Sequence, residues 1–325
     1  MHLRIAFVVT ALFFLPAAGH AQRAATGDTY PAKPIRFVIP FGPGSASDAL
    51  ARIAAQALSQ LLGQTIVVVP KPGADGALSG LEVKRAAADG YTFLYGTNSP
   101  LAVVPNIRKA PPYDVLKDFT PVSFIGENTF FIVVHPSLPV KTIPELIAYA
   151  KANPNKLNYA SANTYALVST ALFATKNDIQ MLSVPYKSEP DAIVDLLSGR
   201  LHLMNGTVTT VAAHVKEGKL RVLATTLPER SPLMPDVPSF PEAGQGKFPI
   251  GPWFALVGPA GLPQAIVARM NKEMVTILAQ PAVREQMQKQ GFMPRSSTPE
   301  ALTAYMKEQL GIWKSALKLA GMEPQ

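Results

Sequence analysis

The sequence predicts an α/β protein built from two parallel or mixed-sheet domains with a cleft between them. Three observations point there. Short apolar runs rich in β-branched and aromatic residues alternate with stripes of helical spacing along most of the chain, the order that produces parallel strands joined by crossover helices. Proline-rich stretches near 100–121 and 228–263 interrupt that order and divide it into two sets. The length of 325 residues suits two cores, and 48% apolar against 16% charged residues excludes a disordered chain.

Residues 35–39 form an apolar strand ended by Pro40, which has no N–H to continue a ladder. From Ser47, the apolar positions Leu50, Ile53, Ala54, Ala57, Leu58 and Leu61 make one stripe of a helix that Gly63 stops. A β-branched strand at 65–69, a helix near 78–88 and a strand at 91–95 complete the first set. After a proline-rich loop from about 100 to 121, strands are expected at 130–134, 157–159, 181–184, 201–204 and 221–225. Helices are expected at 143–152, 164–176, 189–199 and 209–217, with Thr142-x-x-Glu145 as a capping box. The second proline-rich stretch surrounds a strand at 253–257, and helices near 263–280, 281–290 and 298–320 close the chain. Ser297-x-x-Glu300 reads as the capping box of the last one.

Composition and address narrow the function. With no cysteine, disulfides, thiolate metal sites and cysteine nucleophiles are excluded. The formal charge of +8 is scattered among acids without a basic run, so no nucleic-acid partner is expected. Residues 1–21 read as a secretory signal, with Arg4 in its basic region, an apolar run over 5–15, and Gly19-His20-Ala21 before cleavage at Ala21. That run is too short to span a bilayer, so an exported, unanchored protein is expected.

The most informative segment is Phe41-Gly42-Pro43-Gly44-Ser45-Ala46-Ser47-Asp48, between the first strand and the first helix. Such a loop brings backbone N–H groups, the Ser45 and Ser47 hydroxyls and a helix N-terminus to one point, which holds an anion without a cationic side chain. Alternatively Ser47 is only the helix cap, with Asp48 favourable at the positive end of the helix dipole. A dinucleotide fingerprint fails because Pro70-Lys71 stands where its acid belongs, and no Gly-Lys-Ser/Thr makes a phosphate loop. Neither G-x-S-x-G nor His-Glu-x-x-His occurs, and His135, His202 and His214 have no metal-site spacing. No metal or cofactor is therefore expected. Ser315-x-x-Lys318 has the spacing of a Ser–Lys pair but lies near the end of a surface helix.

A matching loop, Ser161-Ala162-Asn163-Thr164-Tyr165, follows a strand of the second set and opens a helix. Gly96-Thr97-Asn98-Ser99 and Asn205-Gly206-Thr207 are two more small, polar strand ends, the places where open α/β sheets bind ligands. Together they argue for a carboxylate pocket in the cleft, with Asn98, Ser161, Asn163, Thr164 and Asn205 as donors. Tyr159, Tyr165 and Phe131 are candidates for its apolar wall.

These residues also resemble a known family. The segments Tyr30-Pro31-x-Lys33-Pro34-Ile35-Arg36, Pro40-Phe41-x-Pro43-Gly44, Lys71-Pro72-Gly73-Ala74, Asp89-Gly90-Tyr91-Thr92, Val184-Pro185-Tyr186-Lys187, Asp195-Leu196-Leu197-x-Gly199 and Pro235-Asp236-Val237-Pro238 occur in order along the chain. They are similar to the Bug proteins, extracytoplasmic solute-binding components of tripartite tricarboxylate transporters. The resemblance implies a periplasmic, flytrap-like binding protein without catalytic activity, one domain from 28–102 plus 226–325 and the other from 103–225. It implies a carboxylate held by the two strand-to-helix loops, a membrane permease as partner, and a monomer. This chain departs from relatives in Ser45-Ala46-Ser47, in a shorter second loop, and in His202-Leu203-Met204-Asn205-Gly206, which lacks two acids. Fewer acids and an added Tyr165 suggest a dicarboxylate, an aromatic one included, over an amino acid. The alternatives are an exported serine hydrolase using the 42–47 loop and a binding protein that serves a signalling partner.

Overall fold

The computed structural model describes residues 30–246 and 248–324, so the expected signal segment lies outside the described residues. In chain order the elements are β1 (Ile35–Ile39), α1 (Ala46–Leu62), β2 (Ile66–Pro70), α2 (Ala77–Lys84), β3 (Thr92–Thr97), α3 (Val104–Ile107) and β4 (Phe119–Asn128). Then come β5 (Phe130–Val134), α4 (Ile143–Ala152), β6 (Asn158–Ser161), α5 (Thr164–Lys176), β7 (Leu182–Pro185), α6 (Glu189–Leu197), β8 (Leu203–Thr207), α7 (Val208–Lys216) and β9 (Arg221–Thr225). The chain closes with β10 (Trp253–Pro259), α8 (Gln264–Ala279), α9 (Pro281–Lys289), β11 (Phe292–Pro294) and α10 (Pro299–Leu319).

Two mixed sheets result. Six strands in the order β11-β4-β10-β3-β1-β2 make one, and five in the order β7-β6-β8-β5-β9 make the other. β1 pairs in parallel with β2 and β3, as β6 does with β7 and β8. The antiparallel members are β10, between β3 and β4, β11, at the edge beside β4, and β5, between β8 and β9. Each sheet buries apolar side chains on both faces, which is why most of its strands are apolar runs.

The stripe on α1 packs as its spacing requires, burying Leu50, Ala54, Ala57 and Leu58, although Leu61 at its end is exposed. Gly63 ends the helix in the left-handed conformation at φ 65°, which a residue with a Cβ adopts at a cost. Thr142 caps α4, but Glu145 reaches the N–H of Lys141, one residue before the expected half of the capping box. The cap of α10 is Thr298, not Ser297, whose hydroxyl donates to the Thr298 carbonyl.

One boundary differs from expectation. The stretch expected to stay a loop to 121 enters β4, which pairs with β10 from Phe119 to Glu127 and belongs to the six-stranded sheet. A division at 102/103 therefore falls before a strand of the first sheet, and the chain crosses to the second only between Asn128 and Phe130. Pro121 concealed the strand; the ladder slips its register opposite it, between Leu256 and Val257, as proline inside a strand requires. The two halves touch: Phe130, Tyr165 and Leu172 share a core with Trp253 and Trp313. Among the described residues no helix is long and apolar enough to cross a membrane.

Candidate ligand-binding site

The loop after β1 is organised from within. Ser45, not Ser47, caps α1: its Oγ accepts from the Asp48 N–H at 3.3 Å and donates to the Gly42 carbonyl at 2.8 Å. The Gly44 N–H donates to the Asp48 carboxylate at 3.1 Å, and Arg52 holds the other oxygen at 2.9 Å. Gly44 and Asp48 thus satisfy each other, and neither is among the residues that line the cavity described below, where the sequence reading had grouped them with the ligand donors. Moving the cap to Ser45 releases Ser47, which is 2% exposed and makes no side-chain hydrogen bond among the described residues.

Beside Ser47, the end of β3 supplies Thr97, Asn98 and Ser99. Asn98 is 4% exposed and its Nδ2 has no partner. An orphaned buried donor costs about 1–3 kcal/mol and marks a place where an acceptor belongs. From the opposite side, Asn163 caps α5 through Oδ1, 2.8 Å from the Ala166 N–H, and Nδ2 donates to Glu189 at 2.9 Å. Thr164 reaches across to Ser99 at 2.7 Å.

These groups line a cavity of about 60 Å³ within about 570 Å³ of empty space that includes its mouth. Phe41, Phe130, Tyr165, Pro252 and Phe254 form the apolar wall. The Tyr165 hydroxyl is committed to Thr226 at 2.8 Å and its ring packs on Phe130, so it is wall and not a donor. Burial in that wall pushes its phenol above the usual range. No lysine, arginine or histidine lines the cavity among the described residues.

The cleft, expected to hold fewer acids than in relatives, contains a buried one. Glu189, at the start of α6, lines the cavity and accepts from Asn163 Nδ2 (2.9 Å), the Thr207 N–H (2.9 Å), Thr207 Oγ1 (2.7 Å) and Thr210 Oγ1 (2.9 Å). Burial raises its carboxyl above the ordinary range, and these hydrogen bonds pull the other way. An acid opening a helix reads in sequence as a complement to the helix dipole, so Glu189 carried no signal of its pocket position.

The other sequence candidates sort cleanly. Gly42, Pro43 and Ser161 line an adjoining open groove with Lys187 and Asp191, and Phe41, Asn163 and Thr164 form the wall shared with the cavity. Asn205 is not in the site: it lies under α5, donating to Ser169 at 2.6 Å. The member of that strand end that reaches the cavity is Thr207. Tyr159 and Phe131 are core residues. His135 pairs with Ser137 and His202 with Asn158, so no serine of the cavity has a histidine base. No metal-ligand cluster occurs among the described residues.

Two α/β halves that present strand ends to one buried cavity define a two-domain solute-binding protein. The chain belongs to the tripartite tricarboxylate transporter family of receptors, whose model matches residues 50–322. It is 34% identical to protein BugT of Bordetella pertussis over 311 residues, 95% of each chain. Among solved structures it is similar to R. palustris Rpa4515 with adipate, at a TM-score of 0.87 and 30% identity over 91% of this chain and 100% of that one. It is also similar to the periplasmic binding protein BugD, at a TM-score of 0.85 and 31% identity over 91% and 100%. The family is one of periplasmic solute-binding proteins, not enzymes.

Proposed function

We infer that this chain is exported to the periplasm, captures a small carboxylate in the cavity between its halves and delivers it, as a monomer, to a tripartite-type membrane permease. The observation that carries this reading is the buried Asn98 Nδ2, without a partner among the described residues, in a cavity that Ser47 also lines and that no described cation lines. A carboxylate supplies the missing acceptors. Phe41, Ser47, Asn98, Thr164 and Tyr165 belong to the binding cavity in this reading, with Gly42, Pro43 and Ser161 at its mouth. We assign β1–β4, β10 and β11 to one domain and β5–β9 to the other, a division that sheet membership supports, with the stretch after β9 packing on the second domain through Met234, Val237 and Phe240. The adipate held by Rpa4515 supports a carboxylate as ligand class. For a dicarboxylate in particular, the argument from missing acids loses force with Glu189 in the cavity. Calorimetric titration of the mature protein with aliphatic and aromatic carboxylates and with amino acids tests the reading. Binding of a carboxylate is expected; binding of amino acids alone would refute it.

A further inference from the structure

The second-domain side of the cavity is a finished carboxylate site whose occupant comes from the protein itself. Asn163 Nδ2, the Thr207 N–H and the hydroxyls of Thr207 and Thr210 converge from the ends of β6 and β8 on one point, and the carboxylate of Glu189 sits there at 2.7–2.9 Å. That arrangement is what a bound carboxylate would receive: two hydroxyls, an amide and a backbone N–H at the start of a helix. Glu189 Oε2 takes three of the donors and Oε1 takes one, so a lone pair of Oε1 is left over. On the first-domain side the donors are unfilled: among the described residues Asn98 Nδ2 has no partner and no side-chain hydrogen bond is made by Ser47.

We propose that Glu189 permanently fills the second of two carboxylate subsites, so that the cavity selects ligands with one carboxylate and rejects α,ω-dicarboxylates. The ligand's carboxylate takes Asn98 and Ser47, and its other end meets Glu189 as an apolar group or a hydrogen-bond donor. A second ligand carboxylate would face the Glu189 charge with no cation in the lining to offset it, and like charges so juxtaposed are strongly disfavoured. The inference rests on the reading of the cavity as a carboxylate site and specifies which carboxylates enter it.

The test is titration of matched pairs, butanoate with succinate, hexanoate with adipate and benzoate with terephthalate, against the wild-type mature protein and Glu189→Ala. The wild type is expected to prefer the monocarboxylate of the pair it binds by at least about tenfold. Glu189→Ala frees the four donors, so the preference should shift toward the dicarboxylate by a similar factor. Glu189→Gln, which keeps the acceptor and removes the charge, should abolish the preference with less loss of stability. Binding of a dicarboxylate by the wild type as tightly as its partner would overturn the inference and leave the carboxylate reading intact. An unchanged ratio in Glu189→Ala, with both affinities lowered together, would make Glu189 a structural residue and overturn it too. Binding of none of these acids by the wild type would remove the carboxylate reading and this inference with it.

Discussion

Ser99 and Thr164 share a hydrogen bond of 2.7 Å between their hydroxyls across the cleft, although the first ends the β3 side of one sheet and the second opens α5 beside the other. Ser99 uses its own proton on the Asp75 carbonyl at 2.6 Å, so Thr164 donates and Ser99 accepts. Both line the cavity, and the bond therefore closes the two halves over the ligand space.

Thr164→Val keeps the shape of the side chain and removes the donor. The closed arrangement should lose about 0.5–1.5 kcal/mol. Small-angle scattering of the ligand-free variant should show a larger mean radius of gyration than wild type. A curve superimposable on that of the wild type would mean that the bond contributes nothing to closure.

Ser45 and Ser47 should separate stability from binding. Ser45→Ala removes the α1 cap and should cost about 1 kcal/mol of stability, read as a lower Tm. Ser47→Ala loses no existing hydrogen bond and should leave Tm unchanged, but weaken hexanoate binding by about 1–3 kcal/mol if its hydroxyl holds the carboxylate. The reverse pattern would show that Ser47 is the structural member of the pair.

Asn98 carries a buried donor without a partner, so its cost to the empty protein should be measurable. Asn98→Leu, close in volume, should raise the Tm of the ligand-free protein and lower hexanoate affinity tenfold or more. A variant less stable and equally tight in binding would assign Asn98 to the scaffold.

Glu189 predicts a pH effect of definite sign. Burial holds its carboxyl above the ordinary carboxylate range, so the folded chain binds that proton more tightly than the unfolded one. Its contribution to stability is therefore complete below the unfolded value and lost as pH rises through the folded one. The Tm of wild type minus that of Glu189→Gln should decline as pH rises above the ordinary carboxylate range. A difference that grows with pH would contradict the assigned shift.

Much of the fold is legible residue by residue. The strand at 35–39, the helices over 143–152 and 164–176 and the strand at 221–225 end where periodicity and proline, glycine or cap residues place them. β4 was hidden because Pro121 and Gly126 interrupt its pattern, and only pairing with β10 on one side and β11 on the other makes it a strand. The antiparallel direction of β5 and β10 left no trace either, because alternation of strands and helices carries order but not orientation. In the site, the polar strand ends at Asn98 and at 161–164 were visible as small hydroxyl and amide residues after apolar runs. Asn205 looked equivalent, yet α5 covers it with Ser169, and its neighbour Thr207 is the one that faces the cavity.

By itself the sequence determined the alternation of strands and helices, the two-part division, the family and the general location of the site, all of which depend on patterns within a few residues or on motif order. Tertiary structure alone decided which of the candidate donors are still available. Gly44 is claimed by Asp48 within its own loop, Thr164 by Ser99 across 65 positions, and Asn163 by Glu189 across 26. A donor is open to a ligand only when no partner from elsewhere in the chain has reached it, and that is a property of packing, not of local sequence.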